Sequence, residues 1–240
     1  MTLLLTPIRE GESIEGMRRL EGSRETNGIV LLTNMGDDDC ARSLNSLGGD
    51  QCTVVRDLES LAIAGGNTLL CFSHSIIVPR EILDRYHGRA YNIHSASPNY
   101  PGRDPHHWAA YDGVSEYGAT CHLMTERVDE GAIVDVELFD TTYTDSPFQL
   151  LARANEAAFL ILERIGPKLQ RGERLTPIEV SWGGKKRSRA DLKAMCKLDQ
   201  AVTREEFDRI YRAFDGGVHD NLTVEIHGKT FRIDKTAPSC

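Results

Sequence analysis

The chain predicts an α/β fold, a Rossmann-like, mostly parallel sheet flanked by helices and followed by a small C-terminal helix-plus-hairpin appendage. Three observations carry that expectation. Through the first half, short apolar runs alternate with segments of helical apolar spacing, the rhythm of β-α-β units. After Ser146 an amphipathic stretch continues over several turns, long enough to cover a sheet. From about residue 172 the composition turns polar and basic, so residues 1–171 are expected to form the main domain and 172–240 the appendage.

The elements follow in order. Leu3-Leu4-Leu5 reads as a first strand and Ser13 to Leu20 as a helix, with Ile29–Leu32, Cys52–Val55 and Thr68–Phe72 as the next strands. Asp37 to Leu47 is a helix, with Asp37 suited to its N-cap and Gly48-Gly49 to its stop. A helix from about Pro79 to Tyr86 takes Pro79 into its first turn, and Ala90–His94 becomes the fifth strand. Pro105 to Tyr111 is a short helix. Cys121, His122 and Leu123 alternate on a strand, as do Ile133 to Phe139. Ser146-Pro147-Phe148 opens the long helix, which Gly166-Pro167 weakens at its end. A helix from Thr203 to Phe214 precedes a hairpin turning at His227-Gly228-Lys229.

The formal charge is −8, from 28 basic and 36 acidic residues, which argues against a polyanion-binding surface and a nucleic-acid partner. No apolar run approaches the roughly 20 residues that cross a bilayer, and Pro7 and Arg9 interrupt the apolar start, so no membrane partner and a cytoplasmic location are expected. Six cysteines without a Cys-x-x-Cys pair read as reduced thiols, mainly core filler. His106-His107 predicts no metal site, because adjacent side chains diverge and no third ligand has recognisable spacing. Lys185-Lys186-Arg187-Ser188-Arg189 reads as a solvated turn before a helix, with a phosphate contact as the alternative.

Asn92-Ile93-His94, followed by Val128-Asp129-Glu130-Gly131, brings an amide, an imidazole and a carboxylate into two short segments. On a strand Asn92 and His94 share one face and can converge on one substrate atom, with Asp129 coming from a loop. From the residues alone, a catalytic constellation and a satisfied strand-end pair beside an ordinary Asp-Glu-Gly turn both stay open. His122 reads as a core histidine.

The surrounding block is more specific. Residues 91–103, from Tyr91-Asn92-Ile93-His94 to Pro101-Gly102-Arg103, then Tyr117-Gly118-Ala119-Thr120-Cys121-His122-Leu123-Met124 and Val128 to Val134, occur in an order and spacing that resemble the 10-formyltetrahydrofolate-dependent formyltransferases. The resemblance covers roughly residues 67–139. It implies 10-formyltetrahydrofolate as cosubstrate, no metal, and Asn92, His94 and Asp129 as catalytic residues. It also implies a folate pocket lined by Phe72, Ile76, Ile77 and Val78 together with Asp129. The loop Ser97 to Arg103 and Trp108 resemble sugar N-formyltransferases, whereas Thr6 to Gly11 lacks the glycine-and-serine phosphate loop of glycinamide ribonucleotide formyltransferases.

The expected acceptor is therefore a nucleotide-linked amino sugar, such as a GDP- or dTDP-linked 4-amino-4,6-dideoxyhexose of lipopolysaccharide O-antigen biosynthesis. Tyr100, Trp108 or Tyr111 would stack on a base or sugar ring, and Arg103 or Lys185 would meet the diphosphate. A homodimer is compatible with this reading. The alternatives are the same chemistry on hydroxyornithine or glycinamide ribonucleotide, hydrolysis of formyltetrahydrofolate, and a non-enzymatic folate- or nucleotide-binding regulator.

Overall fold

A computed structural model describes residues 28–216, 219 and 221–232. The strand expected at 3–5 and the helix expected at 13–20 lie outside the described residues, as does Cys240. The main sheet contains β1 (Ile29–Leu32), β2 (Cys52–Val55), β3 (Thr68–Phe72), β4 (Ala90–His94), β5 (Glu116–Leu123) and β6 (Ile133–Asp140), in the order β2-β1-β3-β4-β5-β6. The first four run parallel, and β5 and β6 join antiparallel at one edge. Ala90–His94 is thus the fourth described strand.

Both faces of the parallel part are covered, which is why its strands are apolar almost throughout. Ile29, Leu31, Leu70, Phe72, Tyr91 and Ile93 pack toward α1 (Asp37–Leu47) and α5 (Pro147–Gln170). The alternate residues Val30, Leu32, Leu69, Cys71 and Ala90 pack with Leu61 of α2 (Leu58–Ile63) and Leu83 of α3 (Arg80–Leu83). Parity along each strand therefore decides which face a side chain serves.

Helix ends depart from expectation in three places. Gly36, not Asp37, is the N-cap of α1, and Asp37, Asp38 and Asp39 fill its first turn, where carboxylates meet the positive end of the helix dipole. Pro79 caps α3, which stops at Leu83 and continues as a 3-10 turn over Asp84–Tyr86. The long helix α5 begins with a Ser146–Gln149 capping box and runs through Gly166 and Pro167 to Gln170. Tertiary packing holds that last stretch, since Ile165 and Leu169 are in the core and Gln170 Nε2 donates to the Ser46 carbonyl at 2.8 Å.

The C-terminal elements are α6 (Arg189–Met195), β7 (Lys197–Leu198), α7 (Arg204–Phe214), β8 (Thr223–Ile226) and β9 (Lys229–Arg232), the strands forming a second sheet in the order β7-β8-β9. His227 and Gly228 turn the hairpin with φ of 49° and 74°, the left-handed pair that a tight turn requires. Ile210, Ala213 and Phe214 of α7 pack on Trp108 and Ala109 of α4 (Pro105–Asp112), making a separate core beside the sheet. Among the described residues no helix is long and apolar enough to cross a membrane.

Candidate active site

Asn92 and His94 project from β4 on the face opposite Tyr91 and Ile93, as alternation requires. The antiparallel register sets Asn92 directly across from His122 of β5, and their side chains meet, Asn92 Nδ2 lying 3.1 Å from His122 Nε2. His122 Nδ1 is 2.8 Å from the Leu123 carbonyl, so that nitrogen carries the donated hydrogen. The neutral ring then accepts from Asn92 through Nε2. This leaves Asn92 with a second N–H to offer.

Asp129 arrives on the loop between β5 and β6. It takes a left-handed φ of 51°, which a short carboxylate side chain tolerates better than most. Two residues on, Gly131 passes the end of β5 so closely that a Cβ would lie 1.7 Å from the Leu123 oxygen, so only glycine permits the return. The Asp129 carboxylate is 3 % exposed, accepts from Gly102 N–H at 2.8 Å, and sits 3.5 Å from His122 Nε2 and 3.9 Å from His94 Nε2. Burial raises its pKa, but the neighbouring imidazoles of His122 and His94 and the Gly102 N–H together outweigh burial, so the carboxyl is held below its usual range. His94 Nε2 is also 3.1 Å from the Tyr100 carbonyl. A ring donating there keeps Nδ1, when neutral, as its proton acceptor.

These groups open on a cleft of about 510 Å³, whose walls include Ile76, Ile77, Val78, Asp129, Arg103 and Lys186. The wall loop is latched by His74, which accepts from Ile76 N–H through Nδ1 at 2.9 Å and faces the Arg56 carbonyl with Nε2 at 3.1 Å. Phe72 is not in this wall. Register pairs Phe72 with Ile93 and Cys71 with Asn92, so Phe72 points to the opposite face against Phe159 and Cys71 lines the cleft instead. Burial pushes the Cys71 thiol up to about 12, which leaves it a protonated apolar wall rather than a nucleophile.

Of the five residues expected to hold the acceptor, only Arg103 lines the cleft. Trp108 is 1 % exposed, between Phe214 and the Arg187 guanidinium, and so has no face to offer a ligand. Tyr111 is taken up by Glu206 and Arg209 of α7. The Tyr100 hydroxyl donates to Asp112 at 2.8 Å, and Lys185 pairs with Asp191 at 2.6 Å. The basic run is more than a solvated turn, since Lys186, Arg187, Ser188 and Arg189 all border the cleft. The rings of His106 and His107 do not diverge either, their centroids lying 4.6 Å apart.

His122, buried as the sequence reading expected, and Trp182 lie beside the candidate cluster and were not among its expected members. His122 could have been flagged by parity once β4 and β5 were paired, whereas nothing local marks Trp182, whose ring meets His122 from a distant segment.

An open α/β sheet with a buried imidazole–carboxylate cluster beside a cleft has the features of a candidate enzyme site. Residues 58–164 match the family model described as formyl transferase, a stretch holding Asn92, His94, His122 and Asp129. That stretch carries a formyl transferase domain, and the chain is an enzyme that transfers formyl groups. Solved structures share the fold. A 4-N formyltransferase from Francisella tularensis superposes with a TM-score of 0.72 at 18 % identity, over 88 % of this chain and 97 % of that one. A sugar N-formyltransferase from a Shewanella species gives 0.68 at 18 %, over 86 % and 96 %. An N-formyltransferase from Helicobacter canadensis, in complex with folinic acid and dTDP-3-aminofucose, gives 0.62 at 17 %, over 83 % of each chain.

Proposed function

We propose that this protein moves a formyl group from 10-formyltetrahydrofolate to the amine of a nucleotide-linked amino sugar, with GDP- and dTDP-linked 4-amino-4,6-dideoxyhexoses as the acceptors to try first. The observation that carries the reading is the convergence of Asn92, His94 and Asp129 on one cleft, joined by His122. The neutral amine attacks the formyl carbon, placing negative charge on the formyl oxygen and positive charge on the nitrogen. The free N–H of Asn92 stabilises the oxyanion, a donor worth about 3 kcal/mol in a preorganised site. His94 takes the amine proton, and the Asp129 carboxylate stabilises the imidazolium that results. The proton then passes to N10 as the C–N10 bond breaks, releasing tetrahydrofolate.

Ile76, Ile77 and Val78 supply the apolar wall for the pterin, and Arg103 a cation for the acceptor's diphosphate, while Lys186 borders the same cleft in an ion pair with Glu130 at 2.9 Å that a diphosphate would have to displace. In domain terms we read 1–171 as the catalytic unit and 172–240 as an appendage whose first part lies against the site. The deciding assay is mass spectrometry of the purified protein with formyltetrahydrofolate and GDP- or dTDP-linked 4-amino-4,6-dideoxyhexoses, glycinamide ribonucleotide and hydroxyornithine. Faster formylation of either non-sugar acceptor rejects the sugar assignment and leaves the roles of Asn92, His94 and Asp129 intact.

A further inference from the structure

The chain between α5 and α6 crosses the site as a strap. Ile178 N–H donates to the Ile133 carbonyl at 2.9 Å, Gly183 N–H to Pro98 at 3.1 Å and Arg187 N–H to Pro101 at 3.2 Å, while Arg103 N–H returns a bond to Arg187 at 2.9 Å. At Gly184, with φ of 66°, the strap runs so close to the Asn99 backbone that a Cβ would lie 2.1 Å from its oxygen. These bonds fix Trp182 over the polar cluster. Its indole is edge-on to His122, with ring centroids 5.0 Å apart, and to His94, at 6.1 Å. Its Nε1–H donates to the Gly131 carbonyl at 2.8 Å, two residues beyond Asp129.

We propose that Trp182 is a positioning residue for formyl transfer, holding the Asp129–Gly131 loop through its N–H and shielding the His94–Asp129–His122 cluster from water with its ring. One side chain contacts both imidazoles and the loop bearing their carboxylate, so it sets the geometry on which proton transfer depends. The shield has a chemical purpose. A polar cluster that takes a proton from an amine can also take one from water. Water oxygen would then bond to the formyl carbon, the C–N10 bond would break, the proton would pass to N10, and formate and tetrahydrofolate would leave. Excluding water suppresses this side reaction. The inference rests on the formyl-transfer reading above.

The test uses the full chain as wild type, Trp182→Phe and Trp182→Ala, with 10-formyltetrahydrofolate as donor and dTDP-4-amino-4,6-dideoxyglucose as acceptor, and quantifies formate and formylated sugar separately. Trp182→Phe keeps a ring and loses the N–H, so kcat falls about three- to tenfold while KM for the donor stays within about twofold. Trp182→Ala lowers kcat by more than about tenfold and raises the ratio of formate to formylated sugar by at least about tenfold. An unchanged ratio in Trp182→Ala overturns the proposal, as does a loss of kcat that only tracks the folded fraction in thermal unfolding. If Trp182→Ala does not fold, the kcat-against-KM split in Trp182→Phe decides, and wild-type kcat there overturns the role of the N–H. If the wild type does not formylate this sugar, the acceptor reading fails separately. The Trp182 proposal is then decided by formate release without acceptor, which must be faster in Trp182→Ala and which overturns it if equal to wild type.

Discussion

Two histidine pairs lie on either side of the loop from Ser95 to Asp104, and they have opposite environments. His94 and His122 share the Asp129 carboxylate, at 3.9 and 3.5 Å, and both line the cleft. His106 and His107 face each other and the aromatic core of α4 and α7, with His107 Nδ1 bonded to the Ala213 carbonyl and His106 Nδ1 buried without a partner. Burial, aided by the charges of His107 and His94, lowers His106 to about 4. The same side chain thus lies beside a carboxylate in one place, while at His106 burial disfavours its charged form. A carboxylate within reach and an open wall make the difference, not residue type.

The largest expected effect breaks the closed region. Trp108→Ala should destabilise the protein by about 3–5 kcal/mol in denaturant unfolding, the usual cost of emptying a buried aromatic site. It should leave KM for the acceptor unchanged in the folded fraction. A raised KM at normal stability would return Trp108 to a substrate-stacking role and blur the contrast.

Next come the groups of the open region. His94→Ala and Asp129→Ala should each lower the rate of formyl transfer by at least about a hundredfold while leaving the unfolding midpoint within a few degrees of wild type. Near-normal turnover of His94→Ala at saturating amine would contradict the mechanism. His122→Leu should cost about tenfold in kcat, because Asn92 loses the acceptor that orients its amide. A loss as large as that of His94→Ala would instead make His122 a proton carrier in its own right.

The smallest effect is on pH dependence. The folded pKa of His106 lies below its unfolded value, so between about pH 6.5 and 4 the unfolded chain binds the extra proton and stability falls as the pH drops through that window. His106→Leu should remove about 1 kcal/mol of that loss, after solvent screening, in unfolding curves at pH 7 and pH 4.5. If the acid sensitivity of the variant matched the wild type, His106 would not be the depressed group.

What could be read from the chain is what repeats locally. Apolar runs alternating with helical spacing foretold the parallel sheet, and alternation within Ala90–His94 put Asn92 and His94 on one face. Ile76, Ile77 and Val78, which the family resemblance offered as folate-pocket residues, line the same cleft as Asn92 and His94. Long-range packing decided the rest. Register between β3 and β4 turned Phe72 away and brought Cys71 to the cleft, and the β4–β5 pairing set the buried His122 beside Asn92 at the cleft. The packing of α7 claimed Trp108 and Tyr111, and the path of the strap exchanged Lys185 for Lys186 and delivered Trp182. Periodicity specifies which way a side chain points from its own element. It carries no information on which remote segment will meet that face, because that depends on strand register and on contacts between parts of the chain far apart in sequence.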